Sequence, residues 1–205
     1  YCMGYILSVG KAEAVALHDC DIVTYSRSLL ARLVYPVANP KFNFDFCKGY
    51  YPRVSENKVK GRVARLLVTP LLRALEKTIG FNEFISFVDS FRYPLAGEFS
   101  FRRRVLKDIR IPYDWGLEIG VLSEMFRNYA GNRLCQVDIA DNYDHKHQDI
   151  FFDDNSKGLS KMSIDIIKVI IRKLASQGEP FSMSIFRSLK ATYYREALDL
   201  SLIHI

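Results

Sequence analysis

The sequence predicts an α/β fold, because short apolar runs typical of buried strands share the chain with longer stretches of helical spacing. The chain has 205 residues, 49% of them hydrophobic, which is enough to form a sizeable core. We expect residues 1–155 to form the main domain. Residues 156–205 are expected to form a helical segment packed on that same domain.

Three strands are predicted. Residues 12–17 form a short apolar run that ends abruptly in polar residues, as a buried strand does at an edge of its sheet. Residues 42–51 begin with alternating phenylalanines, which is the period-two pattern of a strand. Residues 134–139 are predicted to form the third strand.

Apolar residues at helical spacing predict several helices. The first lies between Thr24 and Pro36, and the proline is expected to end it. A loop at residues 94–98 is expected to lead into a helix that carries Arg102, Arg103 and Arg104. The other helices are predicted over residues 63–75, 115–129, 159–175 and 182–200.

Cysteine usage and hydropathy favour a cytoplasmic protein. The chain is long enough to fold without disulfides and its cysteines are widely spaced, so we expect reduced thiols. These cysteines are Cys2, Cys20, Cys47 and Cys135. No apolar stretch approaches the roughly 20 residues that span a bilayer, so no membrane span is expected.

The basic residues are concentrated in one segment. The net charge is +6, and residues 41–73 hold eight lysines and arginines against Asp45 and Glu56. Such an excess is typical of proteins with anionic partners, either phosphorylated small molecules or nucleic acid. A nucleic-acid-binding module would also use the aromatic residues of 42–51 for stacking. Because alternating phenylalanines on a strand are more often part of a core, we do not expect nucleic acid.

Two carboxylates follow the first predicted strand. Asp19 and Asp21 flank one residue, so their side chains leave the strand end on the same side. Together they could share a hard divalent cation and its bound phosphates. An ordinary solvated turn after a strand explains the same spacing.

A second group of polar residues lies between residues 141 and 149. His145 and His147 could complete a metal site or contact a phosphate. Their spacing relative to the cysteines matches no compact zinc motif. A pair of surface histidines is the alternative.

A glycine and two arginines lie where a helix is predicted to begin. In Gly61-Arg62-Val63-Ala64-Arg65, the guanidinium groups and the helix start suit a phosphate or a carboxylate. A solvated basic surface is the alternative. The consecutive arginines at 102–104 point in different directions on a helix, so we expect no joint site there.

Two glutamates are surrounded by apolar and glycine residues. Burial of a carboxylate without a partner is costly, so each is expected to have a hydrogen-bonded role. A favourable charge at a helix N-terminus explains Glu98. Glu118, with apolar neighbours on both sides, is the better candidate for binding sugar hydroxyls.

Taken in order, these segments resemble those of the glucosyl-3-phosphoglycerate synthase family. The ordered set carries the resemblance, which runs from about residue 12 to about residue 175. The matching segments are Asp19-Cys20-Asp21, Lys48-Gly49-Tyr50-Tyr51, Gly61-Arg62-Val63, Leu95-Ala96-Gly97-Glu98, Gly116-Leu117-Glu118-Ile119-Gly120 and the loop with His145.

The resemblance implies a glycosyltransferase A-type fold with a Rossmann-like mixed sheet. It implies transfer of glucose, with retention, from UDP-glucose or GDP-glucose to 3-phosphoglycerate. In that case Asp21 and His145 hold Mg²⁺ or Mn²⁺ on the diphosphate, and Asp19 lies towards the ribose. The metal would stabilise charge on the leaving diphosphate.

The resemblance also assigns the remaining site residues. Glu118 would hold the donor sugar, and the backbone carbonyl of Leu95 would lie near the reacting centre and support front-face attack. The acceptor-binding residues would be Gly61, Arg62, Val63, Ala64 and His147. A homodimer fits the family.

Some features depart from the family pattern. Ala64 stands where the family often has threonine, and His147 where it often has asparagine. The family's nucleotide-base pocket lies further upstream than the 18 residues before Asp19 allow. We therefore expect the amino-terminal nucleotide-binding portion to be missing from this chain. The nearest alternative is another sugar transferase of the same fold, either mannosylglycerate-type or lipid-directed.

Overall fold

The computed structural model describes residues 1–52, 54–55, 58–59, 61–144 and 158–202. The described chain divides into two compact units. The first comprises Tyr1–Lys60, Leu95–Ile111 and Gly120–His147, and the second comprises Gly61–Pro94, Pro112–Ile119 and Gln148–Ile205. Two inner segments of the chain return to the first unit, and the predicted division at residue 155 stays a prediction.

The first unit contains a four-stranded mixed sheet. Its strands are β1 (Ala14–Leu17), β2 (Phe46–Tyr50), β5 (Phe99–Arg102) and β6 (Leu134–Asp138), in the order β1-β5-β2-β6. Strand β5 is antiparallel to β1 and β2, whereas β2 and β6 are parallel. A separate two-stranded ribbon pairs β3 (Val54–Ser55) with β4 (Lys58–Val59). The predicted α/β class and mixed sheet are confirmed.

The strand directions place different chain segments at the two ends of this sheet, where its strands begin and end. We use the word edge for each of these two ends. The carboxyl ends of β1, β2 and β6 lie beside the amino end of β5, because Leu17 and Lys48 are both register partners of Phe99. We call this the Glu98 edge, after the residue that precedes β5. The opposite edge, where Asp45 precedes β2, is called the Asp45 edge.

Helix α2 (Arg27–Ala38) covers the sheet of the first unit. It begins at Ser26, whose side chain accepts a hydrogen bond from the backbone N–H of Leu29, and it packs against β1, β2 and β5. The prediction that Pro36 ends this helix is wrong. The helix continues past the proline and buries Val37, and this packing outweighs the missing backbone hydrogen bond.

Two local predictions in the sheet are wrong. Residues 42–44 do not extend β2, and the Arg102 guanidinium instead binds the carbonyls of Phe42 and Phe44 at 2.8 and 2.9 Å. The predicted helix at residues 102–104 is a strand end followed by a 3-10 turn (Arg103–Lys107). Pairing of β5 with strands on both sides overrides the local pattern.

The second unit is helical. It contains α3 (Thr69–Ile79), preceded by a π-helical segment (Ala64–Val68), and α4 (Glu83–Asp89), α6 (Gly158–Ser176) and α7 (Met183–Leu202). Helices α3 and α7 pack along each other, and the largely exposed Lys77 side chain donates to the buried Glu196 carboxylate at 2.5 Å. The predicted helices at 159–175 and 182–200 are confirmed within two residues.

Three helices complete the comparison with the sequence. Helix α5 (Leu117–Asn128) confirms the helix predicted over residues 115–129. Helix α1 (Cys2–Val9) and α4 were not predicted, because α1 buries no residue and α4 is short. Among the described helices, none has both the length and the apolar character needed to cross a membrane.

Candidate active site

Four chain segments meet at the Glu98 edge of the first unit. They follow β1, β2 and β6 and precede β5, and most of the chemistry-bearing residues of this unit lie on them. The carboxyl ends of strands in α/β sheets are common ligand sites, because loops there are free to vary on a rigid frame. Asp19 and Asp21 lie at this edge, as the strand predicted over residues 12–17 required, and Leu95 lies there as well because it is close before β5.

A buried carboxylate connects these segments. Glu98 is fully buried and accepts hydrogen bonds from the hydroxyl of Tyr51 at 2.7 Å and from that of Tyr143 at 2.5 Å. It also accepts one from the backbone N–H of Asp19 at 3.3 Å. Our explanation of Glu98 as a helix N-terminal charge is wrong, because the residue precedes a strand.

The two tyrosines of this cluster stack on each other. The rings of Tyr51 and Tyr143 are 3.6 Å apart at their centroids and 13° from parallel. Burial, followed by the negative charge of Glu98, raises the pKa of Tyr143, so its hydroxyl keeps the proton that it donates. Sequence reasoning missed this pair, because 92 residues separate the two tyrosines along the chain.

Gly97 is shaped to receive the Asp19 carboxylate. A Cβ atom placed on Gly97 would lie 2.2 Å from Asp19 Oδ1 and 2.7 Å from its Cγ. Any side chain at this position would therefore displace the carboxylate. The glycine of the Leu95-Ala96-Gly97-Glu98 segment allows the close approach of Asp19 to the backbone before β5.

A buried lysine fixes the same segment from the neighbouring strand. Lys48 is 1% exposed, and its ammonium group donates to the carbonyl of Ala96 at 2.5 Å and lies 5.2 Å from the centroid of the Phe99 ring. Ala96 directly follows Leu95, whose own carbonyl was predicted to face the reaction. A lysine within an otherwise apolar strand was a signal that the sequence offered and that we did not use.

The segment after β1 is also bonded to the segment after β6. The backbone N–H of Val23 donates to the carbonyl of Asp144 at 2.8 Å, and the N–H of Asp144 donates to Thr24 Oγ1 at 3.0 Å. Asp21 is half-buried next to this contact. His145 and His147 lie outside the described residues, so the predicted metal pair and the second acceptor contact stay predictions.

The described residues offer part of a metal site. Asp19 and Asp21 supply the hard oxygen ligands that Mg²⁺ and Mn²⁺ prefer. Within residues 1–52, 54–55, 58–59, 61–144 and 158–202, however, no three His, Cys, Asp or Glu side chains are grouped to hold a metal ion. The donor chemistry at the Glu98 edge fits such an ion, and further ligands would have to come from elsewhere.

His18 is a residue that sequence reasoning missed. Both of its ring nitrogens are buried and lack a hydrogen-bond partner among the described residues, and its ring meets that of Tyr25 edge to face at 5.6 Å. Burial lowers the pKa of His18, and the charge of Glu98 opposes this effect. The imidazole is therefore neutral at the end of β1.

The four cysteines differ in their surroundings. All four cysteines are free, and Cys20, between the two aspartates, is exposed. Cys47 and Cys135 are register partners on β2 and β6. The hydrogen bond with the Cys135 thiol, followed by burial, raises the pKa of Cys47.

The second unit contains the other predicted site residues. Gly61 has a φ of 87°, and the helical segment begins at the next residue, as predicted. Arg62 is exposed, while Val63 and Ala64 are half-buried in the first helical turn. The Nε atom of Arg65 is buried and lacks a hydrogen-bond partner in the described part of the chain.

Glu118 also belongs to the second unit. It is half-buried in the first turn of α5. The preceding Gly116 packs tightly against Val169 of α6, since a Cβ atom there would lie 2.3 Å from Val169 Cγ2. This contact fixes the start of the helix that carries Glu118.

Comparison with known proteins tests the predicted family resemblance. No family model matches the chain. The chain is 52% identical over 195 residues to the glucosyl-3-phosphoglycerate synthase of Persephonella marina, a match that covers 95% of this chain and 48% of that protein. The predicted family resemblance is confirmed. The enzyme of the same name from Methanococcoides burtonii is 42% identical over 193 residues, or 93% of this chain and 47% of that protein.

The similarity to solved structures concerns the fold. A crystal structure of glucosyl-3-phosphoglycerate synthase from Mycobacterium tuberculosis, in complex with Mn²⁺, UDP-glucose and phosphoglyceric acid, matches with a TM-score of 0.62 and 24% identity. The match covers 86% of this chain and 53% of that one. The predicted fold type is thereby confirmed. The chain spans about half the length of the curated relatives it matches.

Proposed function

We propose that this chain is the metal- and acceptor-binding part of an enzyme that moves glucose from a nucleoside-diphosphate glucose to 3-phosphoglycerate. The observation that carries the proposal is the meeting of Asp19, Asp21 and the Leu95–Glu98 segment at one edge of the sheet. The similarity to glucosyl-3-phosphoglycerate synthases over nearly the whole chain supports it. The transfer would retain the anomeric configuration, as the family resemblance implies.

In this proposal Asp21 and His145 hold Mg²⁺ or Mn²⁺, and Asp19 faces the donor ribose. When bound, the ion supplies charge stabilisation to the leaving diphosphate. The hydrogen bonds between residues 23–24 and 142–144 support the pairing, because they tie the chain next to Asp21 to the chain before His145. The Mycobacterium tuberculosis enzyme has been crystallised with Mn²⁺ and with Mg²⁺, each together with a uridine nucleotide.

The acceptor would bind at the start of the helical segment of the second unit. The positive φ of Gly61 turns the chain into the helix, and backbone N–H groups at a helix start suit an anion. Arg62 is exposed and can bind a phosphate or carboxylate with two parallel hydrogen bonds. Val63, Ala64 and His147 would complete the acceptor site. Ala64 has no hydroxyl, so we expect it to contribute only backbone contacts.

Two further groups would act on the donor sugar. Glu118 would hold glucose hydroxyls, and the Leu95 carbonyl would lie beside the anomeric carbon. The acceptor hydroxyl would form the new bond to that carbon on the face from which the diphosphate departs. Front-face attack of this kind needs no covalent intermediate on a side chain, so we assign none of the residues at the Glu98 edge as a nucleophile.

We further propose that the nucleotide-base pocket is supplied by chain outside these 205 residues. The curated relatives are about twice the matched length. The family resemblance implies that this pocket lies upstream of the first carboxylate. We place the protein in the cytoplasm, as a homodimer. The 205-residue chain alone is expected to show no turnover, and measurable transfer by it would contradict the missing pocket.

The activity test measures release of nucleoside diphosphate by the full-length protein. UDP-glucose and GDP-glucose are each supplied with and without 3-phosphoglycerate and Mg²⁺ or Mn²⁺. We expect release that depends on both the acceptor and the metal. A panel with GDP-mannose and other acceptors separates this function from that of a mannosylglycerate-type or lipid-directed transferase. No acceptor-dependent release with any of these donors would refute the proposal.

The acceptor site has its own test. Arg62→Ala removes a charged ligand of 3-phosphoglycerate and should raise the acceptor KM about tenfold or more with little change in the donor KM. Arg73→Ala, which removes an exposed arginine on α3, is the control for lost basic charge. An unchanged acceptor KM in Arg62→Ala would remove the residue from the proposed site.

A further inference from the structure

Two fully buried charged residues at the Glu98 edge have no part in the proposed reaction. Glu98 is 0% exposed and Lys48 is 1% exposed. A buried charge is costly unless several hydrogen bonds hold it. Proteins in which apolar side chains of similar size replace buried charged ones are often as stable. Stability alone therefore does not account for two charged groups buried at this edge.

The hydrogen bonds of Glu98 reach three separate segments. Its Oε1 atom accepts from Tyr143, which follows β6, and from the backbone N–H of Asp19, which follows β1. Its Oε2 atom accepts from Tyr51, which follows β2. Its own backbone carbonyl accepts from the N–H of Gly49 on β2. One side chain therefore sets the spacing of all the strand ends at this edge.

Lys48 acts on the fourth segment. Its ammonium group holds the Ala96 carbonyl at 2.5 Å. This bond restricts rotation of the peptide units on either side of Ala96. One of these units carries the Leu95 carbonyl, and the next residue, Gly97, forms the surface against which the Asp19 carboxylate lies.

We propose that Glu98 and Lys48 are positioning residues, which hold Asp19 and the Leu95 carbonyl in place for glucose transfer without touching the substrate. The inference rests on the proposed function. Glu98 acts through the Asp19 backbone, and Lys48 acts through the Ala96 peptide. Small displacements of groups that orient substrates are known to cost large factors in rate.

The first test compares two variants of the full-length protein. Glu98→Gln keeps the size of the side chain but replaces one of the two acceptor oxygens with an NH2 group, so either Tyr51 or the pair Tyr143 and Asp19 loses its acceptor. We expect kcat/KM for the donor to fall about 30-fold, with a raised donor KM, because Asp19 is no longer held in place. Asp45→Asn is the matched control, since Asp45 is an equally buried carboxylate at the other edge. It should leave both kinetic constants within about twofold at temperatures where it is folded.

The second test separates the role of Lys48 from that of Glu98. Lys48→Met keeps the length and removes the donor to Ala96. We expect kcat to fall about tenfold with nearly unchanged donor KM, because the Leu95 carbonyl matters in the transition state. Tyr51→Phe and Tyr143→Phe each remove one donor to Glu98 and should give losses smaller than that of Glu98→Gln.

A measurement made without substrate distinguishes failure of the positioning proposal from failure of the proposed function. Hydrogen exchange of the Asp19 amide should quicken in Glu98→Gln and not in Asp45→Asn. Positioning is refuted if the Asp19 amide exchanges alike in both variants, or if Glu98→Gln and Lys48→Met lose stability while kcat and KM stay at wild-type values. Absence of transfer by the wild-type protein would instead refute the proposed function, and the exchange result would still decide whether Glu98 holds Asp19.

Discussion

The two edges of the four-stranded sheet each contain one buried carboxylate, and the two are held in different ways. At the Asp45 edge, Asp45 lies 2.6 Å from Arg104 Nη2 and 2.8 Å from Arg133 Nε. At the Glu98 edge, Glu98 accepts from two tyrosine hydroxyls and the Asp19 amide. The ion pairs of Asp45 with two arginines are expected to stabilise the fold. The hydrogen bonds of Glu98 to three separate segments are expected to align the residues of the candidate site.

The surroundings of each edge extend this difference. The arginines that bind Asp45 flank the strands themselves, since Arg104 follows β5 and Arg133 precedes β6. Two partners of Glu98, the Asp19 amide and Tyr143, belong to the segments that carry Asp21 and His145. We infer that the Asp45 edge mainly contributes stability and the Glu98 edge mainly contributes activity. Each substitution that follows changes one edge, and its effect on activity, on stability or on both tests this difference.

Among the substitutions that compare the two edges, Gly97→Ala at the Glu98 edge is expected to have the largest effect. The added Cβ would lie 2.2 Å from Asp19 Oδ1, so the carboxylate must move by more than an ångström. Because a flexible side-chain end yields more easily than backbone, activity should fall about 100-fold with little change in stability. Steady-state kinetics and thermal unfolding measure the two effects.

The matched control makes the same substitution at the other edge. Gly131 lies just before β6, and among the described residues no atom lies within 4 Å of a Cβ placed there. Gly131→Ala should leave activity and unfolding temperature close to wild type. Equal activity losses in the two alanine variants would contradict the assignment of the site to the Glu98 edge.

The next effect is on stability at the Asp45 edge. Asp45→Asn leaves two arginines without their shared anion, and we expect the free energy of unfolding to fall by about 2 kcal/mol. The loss should be smaller than for a fully buried pair, because the Arg104 side chain is 57% exposed and remains hydrated. Urea unfolding gives the value. An unchanged midpoint would show that the arginine pairs add nothing.

The smallest effect concerns acid pH at the Glu98 edge. Burial lowers the pKa of His18 below its ordinary value of 6.5, so the unfolded chain binds a proton at this residue before the folded chain does. Stability should therefore decrease as the pH falls below about 6.5, and the decrease should end below the lowered pKa. His18→Phe, which keeps the ring contact with Tyr25, should show a smaller decrease in urea midpoint between pH 7.5 and pH 5.5. Equal decreases would exclude His18 as the cause.

Much of the fold could be predicted from local patterns. The apolar run before Asp19 gave β1, and helical spacing gave α5, α6 and α7 within two residues at each end. The failures have tertiary causes. Strand β5 is formed by pairing with β1 and β2, and Pro36 is tolerated in α2 because Val37 is buried.

The candidate site could be predicted only in part. The predicted strand over residues 12–17 placed Asp19 at an edge of the sheet, and the structure agrees. The roles of Asp19 and Leu95 came from the family resemblance and stay predictions. The bonds of Glu98 to Tyr51 and Tyr143 were missed, because they join residues 47 and 45 positions apart that no periodicity relates. The assignments of Asp21, His145 and Glu118 to metal and sugar came from the family resemblance and stay predictions.

The most direct test of the central claim measures product formation by the full-length protein and by its Asp21→Ala variant. The two are incubated with UDP-glucose, 3-phosphoglycerate and Mn²⁺, and glucosyl-3-phosphoglycerate is quantified by mass spectrometry. We predict metal-dependent product with the wild type and a loss of about 1,000-fold or more with Asp21→Ala, because the site loses a charged ligand of the ion. Product formation by Asp21→Ala at the wild-type rate would contradict a metal-dependent active site at the Glu98 edge.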